Sequence, residues 1–289
     1  MTAAWVSVYL PTRNRLALLQ RAVNSVLGQT YPCVELVVVN DGSTDATRTY
    51  LDRLCGVDAR VKAIHNETSV GAPRSRNMAI QCASGEFVTG LDDDDYFHPD
   101  RIRALVEHWQ ALEQAGQHFS SIFTQDLIVQ GVKHTLSTKP ESVSAEELFF
   151  YNVIGNQIFT RRAHFIAAGL FDEGMPAWQD LDAFIRVLRT FGPAKRLDRG
   201  LYFLNVDPRP DRISVGSKQK LLAAYRRLAG KNQGLPAITR QALLLQAFGG
   251  LYSSAPAMSD LLEFFRHGIH SRTLKRLAGV YVRRVTGIW

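Results

Sequence analysis

Apolar runs alternate with helically patterned segments through the first ninety residues, and this alternation constrains the fold more than any composition value does. Val6–Leu10 reads as a strand, and Leu16, Leu19, Val23, Val26 and Leu27 recur at helical spacing behind Asn14, a suitable N-cap. Val34–Val39 is an apolar run of the kind shown by parallel strands buried on both faces. A helix over Thr44–Leu54 capped by Ser43, a short strand over Val61–His65, a helix over Ala72–Ala83 and a strand ending at Leu91 complete a βαβαβαβ order. That order predicts an α/β chain with a doubly wound, mostly parallel sheet.

Weaker elements follow. Pro99 stands at a helix start before Ile102, Leu105, Val106 and Trp109, and Phe119–Val129 has the character of a strand. Helices are expected over Ala145–Phe150, Arg162–Ala168 and Leu181–Phe191, with strands near Ile158 and over Leu201–Val206. The proline-rich Asp207-Pro208-Arg209-Pro210 then marks a domain boundary.

Four consecutive carboxylates, Asp92, Asp93, Asp94 and Asp95, sit directly behind the apolar stretch 87–91. Each ionised group disfavours the next, so the run is strained unless a cation binds there. An open α/β sheet presents its ligands at the carboxyl ends of its strands, which is where this run falls. The alternative is a solvated acidic loop. The second strand ends in Asn40-Asp41-Gly42-Ser43, where a carboxylate and a tight turn would face a nucleoside by the same crevice geometry. The loop after the first strand, Pro11-Thr12-Arg13-Asn14-Arg15, holds no glycine, which disfavours a dinucleotide-binding fold.

The chain of 289 residues is 46% hydrophobic, enough for a substantial core. It has no uninterrupted apolar run of the roughly 18 residues that span a bilayer. Its start lacks the basic-then-apolar order of a signal peptide, so a cytoplasmic location is expected. Cys33, Cys55 and Cys82 are scattered and odd in number, which indicates neither a disulfide framework nor a zinc site.

Taken in order, these segments resemble family 2 of the glycosyltransferases, which has the GT-A fold. The resemblance rests on Pro-Thr-Arg-Asn-Arg after the first strand, Val-Val-Asn-Asp-Gly-Ser-Thr-Asp after the second, Gly71 with Arg76-Asn77, and Gly85-Glu86-Phe87 leading into Leu91 and the four aspartates. It is strong over residues 5–100 and fainter to about Ser214, where Trp178-Gln179-Asp180 and Arg212-Ile213-Ser214 look like later landmarks of the family. It implies a GT-A catalytic domain over 1–214, with a nucleotide-sugar-binding half at 1–100 and an acceptor half at 101–214, followed by a helical extension over 215–289.

Carried over by position, the resemblance assigns Asp92 and Asp94 to a DxD-type motif, with Asp94 the direct ligand of Mn²⁺ or Mg²⁺. Those ions take hard carboxylate oxygens and commonly reach the protein through one or two carboxylates plus substrate phosphates. Asp93 and Asp95 would either hydrogen-bond the donor sugar or support the loop. Pro11, Thr12, Arg13, Asn14 and Asp41 would line the nucleoside pocket. Arg74 or Arg76 would reach the diphosphate as a charge-assisted donor, or else be a surface helix charge. Asp180 falls where the family places its catalytic base, with Asp182 its rival, and either could merely favour the helix dipole.

The implied activity is inverting transfer of one sugar from a nucleotide-sugar, a UDP-sugar being the expected donor. The acceptor would be a hydroxyl of a glycan or lipid-linked glycan, as in bacterial surface polysaccharide or lipopolysaccharide synthesis. Three positions depart from the family pattern: Arg13 where an aromatic is common, Gln179 before the base, and Arg209 near a usual histidine. No processive Q-x-x-R-W motif is present, which favours transfer of a single sugar over polymer synthesis.

The net charge of +7 is unevenly spread. Residues 1–214 hold 22 Lys and Arg against 25 Asp and Glu, whereas residues 215–289 hold 12 against 2, so the body is −3 and the tail +10. The tail sets Leu221, Leu222, Tyr225, Leu228, Leu243, Leu244, Ala247 and Phe248 at helical spacing. It then interleaves Leu274, Leu277, Val280 and Tyr281 with Arg272, Lys275, Arg276, Arg283 and Arg284. Two readings stand: peripheral contact with an anionic membrane at the inner face of the plasma membrane, or a packed helical lid with a solvated basic face. Nucleic-acid binding is disfavoured, because no recognised motif accompanies the basic tail.

Two other enzyme classes fit poorly. A haloacid-dehalogenase-type phosphatase would need D-x-D-x-T, but Tyr96 follows Asp95 and the run closes the fourth strand. A sugar-nucleotide pyrophosphorylase would need a glycine-rich, lysine-bearing loop after the first strand. A non-catalytic sugar-nucleotide-binding protein remains the alternative from another class, since it would use the same donor pocket.

Overall fold

The computed structural model describes residues 3–207, 218–248 and 255–286. In chain order the first elements are β1 (Val6–Thr12), α1 (Leu16–Leu27), β2 (Val34–Asp41), α2 (Thr47–Val57), β3 (Val61–Asn66), α3 (Ala72–Cys82) and β4 (Phe87–Gly90). There follow β5 (Tyr96–Phe97), α4 (Arg101–Gln114), β6 (Ser121–Gln130), β7 (Lys133–Leu136), β8 (Ser142–Val143), α5 (Ala145–Leu148) and β9 (Phe159–Arg161). Then come α6 (Arg162–Ala167), α7 (Gln179–Phe191), β10 (Ala194–Asn205), α8 (Lys218–Lys231), α9 (Ala237–Gln246), α10 (Met258–Arg266) and α11 (Ser271–Thr286).

One mixed, mostly parallel sheet runs β3-β2-β1-β4-β9-β6-β10-β5, with β7 beside β6 and β8 beside β10. The β3-β2-β1-β4 part is wholly parallel, with Val6 opposite both Val34 and Phe87. β2 is buried at all eight positions, as its apolar run predicts for a strand covered on both faces. Its four valines and Leu36 each contribute about 1.5–3 kcal/mol by burial. Leu19, Ala22, Val23 and Val26 form the buried face of α1, and the core continues through Ile102, Leu105 and Trp109 of α4.

The chain forms two compact units. The first comprises Met1–Ala145, Val153–Glu173 and Ala183–Asp207, and the second Glu146–Asn152, Gly174–Asp182 and Pro208–Trp289. The boundary expected at 214, the prolines at 208 and 210, and Arg212-Ile213-Ser214 lie outside the described residues. The second unit has its own interior, with Tyr225 and Leu228 of α8, Leu243 and Leu244 of α9, Phe264 of α10, and Leu277 and Val280 of α11 all buried. Gln246 Nε2 donates to the carbonyls of Leu148 and Phe149 at 3.0 and 2.8 Å, and Arg276 Nη2 to that of Phe150 at 2.9 Å. Among the described residues no helix is long and apolar enough to cross a membrane.

Two expected caps differ. Asn14 does not cap α1: its φ is +53°, and its side-chain oxygen accepts from Thr44 N at 2.7 Å. Ser43 does not cap α2, which starts only at Thr47; its hydroxyl accepts from Asn14 N at 2.9 Å, while Asp45 Oδ1 accepts from Thr47 N at 3.1 Å. Both side chains are drawn into a staple between the loops after β1 and β2. Gly42 makes that turn possible, for its φ is +69° and a Cβ there would lie 2.7 Å from Ser69 N.

Candidate functional site

The four aspartates at the tip of β4 separate by burial. Asp93 and Asp95 are buried and Asp92 and Asp94 half-buried, because alternate side chains point into the fold and away from it. Gly90, just before them, lets the strand pass closely: a Cβ there would sit 2.7 Å from the Asn156 carbonyl and the Tyr9 ring. That approach brings Asn156 to the acidic turn.

Asp93 is held from the β1 side, where Thr12 Oγ1 donates to one carboxylate oxygen at 2.8 Å and Arg15 Nη1 to the other at 3.0 Å. Burial pushes its carboxyl up to about 6, against the opposing pull of the Arg15 charge and the Thr12 hydroxyl. Asp95 is held from β10, accepting from Tyr202 Oη at 2.8 Å and from Asn205 N at 2.9 Å. Burial first, then the neighbouring Asp94 and Asp92 charges, raise its carboxyl well above the usual range. Each carboxylate is thus tied to a neighbouring strand or loop, Asp93 with its two oxygens on Thr12 and Arg15 and Asp95 with its two on Tyr202 and Asn205.

Asp92 Oδ1 accepts from Arg76 Nη2 and from Asn156 Nδ2, each at 2.8 Å. The Asp94 carbonyl accepts from Arg21 Nη2 at 2.6 Å, and that guanidinium lies 4.6 Å from the centre of the Tyr96 ring. Ligand atoms of Asp92, Asp94 and Asp95 all lie within 4.8 Å of one another. Three carboxylates at that separation, with those of Asp92 and Asp95 held by hydrogen bonds, offer the hard oxygen donors that Mn²⁺ or Mg²⁺ takes.

The other expected residues are less uniformly placed. Asp41 is buried, and its carboxylate accepts from Asn66 Nδ2 at 3.0 Å, Ser69 Oγ at 2.6 Å, Val70 N at 2.8 Å and Gly71 N at 3.0 Å. Burial tends to raise its pKa, but the four donors outweigh that and hold it below the ordinary value. It therefore shapes the loop from β3 to α3. Arg76 is buried against Asp92, whereas Arg74 and Arg13 are exposed; Pro11 is half-buried beside buried Thr12.

Asp180 belongs to the second unit, in the first turn of α7. It is half-buried and accepts from Asn152 Nδ2 at 2.8 Å. Asp182 is buried and paired with Lys231 Nζ at 2.8 Å. The two neighbouring carboxylates thus differ in partner, a neutral amide for Asp180 and a lysine for Asp182. Arg15, Asn156, Tyr202 and Asn205 were not anticipated. Arg15 closes the Pro-Thr-Arg-Asn-Arg motif, but nothing in the sequence near Asn156 or Tyr202 signals a role, because their partners are 64 and 107 residues away.

The sequence profile of Glycosyl transferase family 2 matches residues 7–170. A putative colanic acid biosynthesis glycosyl transferase, WcaA of Escherichia coli K12, is 34% identical over 227 residues, covering 76% of this chain and 78% of its own. A putative teichuronic acid biosynthesis glycosyltransferase, TuaG of Bacillus subtilis, is 36% identical over 35% of this chain and 40% of its own. Residues 1–349 of S. aureus TarS, solved in complex with UDP-GlcNAc, superpose with a TM-score of 0.69 at 20% identity, covering 96% of this chain and 79% of that one. The mannosyltransferase PcManGT of Pyrobaculum calidifontis, solved with GDP-Man and Mn²⁺, gives 0.57 at 18% identity, over 98% and 75%. The family profile, a relative matched over three quarters of both chains and the shared architecture agree with the acidic turn at β4: the chain belongs to glycosyl transferase family 2 and is a glycosyltransferase of the GT-A fold.

Proposed function

We propose that this enzyme moves one sugar from a nucleotide-sugar, a UDP-sugar first among the donors, to a hydroxyl of a glycan or lipid-linked glycan in bacterial surface polysaccharide synthesis. The reading is carried by the cluster of Asp92, Asp94 and Asp95, whose ligand atoms lie within 4.8 Å of one another. Asp94 and Asp92 would hold Mn²⁺ or Mg²⁺, with Asp95 completing the set. A divalent ion there supplies positive charge against the departing diphosphate. Arg76 orients Asp92 and offers the diphosphate a further cation, and Thr12 and Asp41 brace the loops that border the nucleoside. WcaA and TuaG, named for colanic and teichuronic acid synthesis, support the polysaccharide assignment, and TarS with UDP-GlcNAc supports the donor class.

Asp180 is the proposed base. It takes the proton of the acceptor hydroxyl as that oxygen attacks the anomeric carbon, and attack opposite the leaving nucleotide inverts the configuration. Asn152 fixes the carboxylate's orientation. In this reading the enzyme works at the inner face of the plasma membrane, with its basic C-terminal region against the anionic leaflet.

The test is a panel of UDP-, GDP- and dTDP-sugars assayed for donor hydrolysis and transfer with Mn²⁺. One sugar-nucleotide is expected to turn over, with activity abolished by chelation and with Asp180→Asn binding donor while losing transfer. Turnover that survives EDTA would reject the metal's role, and unchanged transfer in Asp180→Asn would reject the base.

A further inference from the structure

Part of the apolar face that the sequence places on α11 is packed inside the helical unit. Leu277 and Val280 are buried in the helical unit, and Arg272 and Arg276 lie over the Phe150 and Tyr151 rings at 4.6 and 4.0 Å. Thr273 Oγ1 also donates to Gln241 Oε1 of α9 at 2.6 Å. The open apolar surface is on α10 instead. Met258, Leu262 and Phe265 follow one another at helical spacing and are 72%, 67% and 44% exposed, and Ile269, four residues beyond Phe265, is 75% exposed. The opposite face of α10 is packed, with Phe264 buried and its carbonyl accepting from Gln241 Nε2 at 2.9 Å. Tyr281 Oη lies 3.5 Å from the Pro256 carbonyl, which brings exposed Tyr281 to the Met258 end of the stripe.

The charge of residues 215–289 is predominantly positive. Asp260 and Glu263 are the acidic residues of 215–289, against twelve Lys and Arg. Asp260 is buried, accepting from Ala257 N at 2.6 Å and pairing with Lys218. Glu263 faces His267 at 3.5 Å and Tyr225 at 3.4 Å. Arg266, Arg272 and Lys275 are exposed on α10 and α11. A row of large apolar side chains with Arg266 and Lys275 exposed on the same helices, in a region of +10, fits a surface that is apolar inside and anionic outside. A second copy of the same face would bring two tails of +10 together, which like-charge repulsion opposes.

We propose that Met258, Leu262 and Phe265 of the α10 face, with Ile269 of the loop behind it, insert into an anionic lipid bilayer, with Arg266 and Lys275 meeting the headgroups. This rests on the reading above that the C-terminal region contacts a membrane, and names α10 rather than α11 as the inserting element.

The full chain is sedimented with vesicles of phosphatidylcholine alone and of phosphatidylcholine mixed with phosphatidylglycerol. The wild type is expected to pellet with the mixed vesicles only. Leu262→Asp with Phe265→Asp is expected to lower partitioning by about tenfold or more, with circular dichroism and Mn²⁺-dependent UDP binding unchanged. Met258→Gln with Ile269→Gln is the second variant should the first fail to fold. The proposal is overturned if the wild type ignores phosphatidylglycerol, if folded variants pellet as the wild type does, or if the substitutions turn a wild-type dimer into a monomer with no vesicle binding in either. UDP binding is read separately, so loss of the donor-binding reading is distinguishable from loss of this one.

Discussion

The Tyr202 hydroxyl donates to Oδ2 of Asp95 across 2.8 Å, tying the far strand β10 to the acidic turn behind β4. Asn205 N, three residues along β10, holds the other oxygen at 2.9 Å. Ligand orientation by such outer partners commonly governs metal affinity. Tyr202→Phe is therefore expected to weaken Mn²⁺ binding about tenfold by calorimetric titration, and to lower stability by about 1–2 kcal/mol. Unchanged Mn²⁺ affinity would remove Tyr202 from the support of the site.

Asp93 makes a pH-dependent contribution of its own. Burial raises its folded-state value from 3.8 to about 6, so the folded protein binds this proton more tightly than the unfolded chain does. The group's contribution to stability therefore falls as pH rises from about 3.8 to about 6, and is level above that. Asp93→Asn, which leaves the Thr12 hydroxyl an acceptor, should gain on the wild type by roughly 2–3 kcal/mol across that window in urea unfolding with chelator present. Parallel stability curves for the two proteins would contradict this.

Asp180 and Asp182 should separate cleanly. Asp180→Asn keeps its contact with Asn152 and is expected to lower transfer by about 10²–10⁴ with donor binding intact. Asp182→Asn breaks the pair with half-exposed Lys231 and is expected to cost about 1–2 kcal/mol of stability while most transfer survives. The reverse pattern would exchange their roles.

Gly42 tests the loop staple. Alanine there requires φ near +69° and brings a Cβ to 2.7 Å from Ser69 N. Gly42→Ala is expected to cost about 2–4 kcal/mol in urea unfolding and to weaken nucleotide binding through the displaced Asp41 loop. A loss under about 0.5 kcal/mol would show that the loop yields freely.

The parallel part of the sheet was legible because β1, β2, β3 and β4 are apolar runs separated by helical periodicity, and all four appear where that pattern places them. β5 and β8 are two residues each and β7 is exposed throughout, so none carries a periodic signal. β10 begins at Ala194, earlier than expected at Leu201, because Lys195, Arg196, Asp198 and Arg199 disguise its first half and register shifts interrupt it around Gly200. The acidic run was visible as a cluster, but its division into buried Asp93 and Asp95 and half-buried Asp92 and Asp94 was not. That division is set by Thr12, Arg15, Tyr202 and Asn205, which reach it from other strands and loops. Local sequence carries no record of such distant partners.

Calorimetric titration of UDP and GDP into the full chain, with Mn²⁺ and then with EDTA, tests the central claim most directly. One nucleotide is expected to bind in Mn²⁺, to lose measurable affinity in EDTA, and to bind at least about tenfold more weakly to Asp94→Asn. Equal affinity in EDTA, or an Asp94→Asn protein that binds as the wild type does, would contradict the assignment of the β4 carboxylates to a metal-bridged diphosphate.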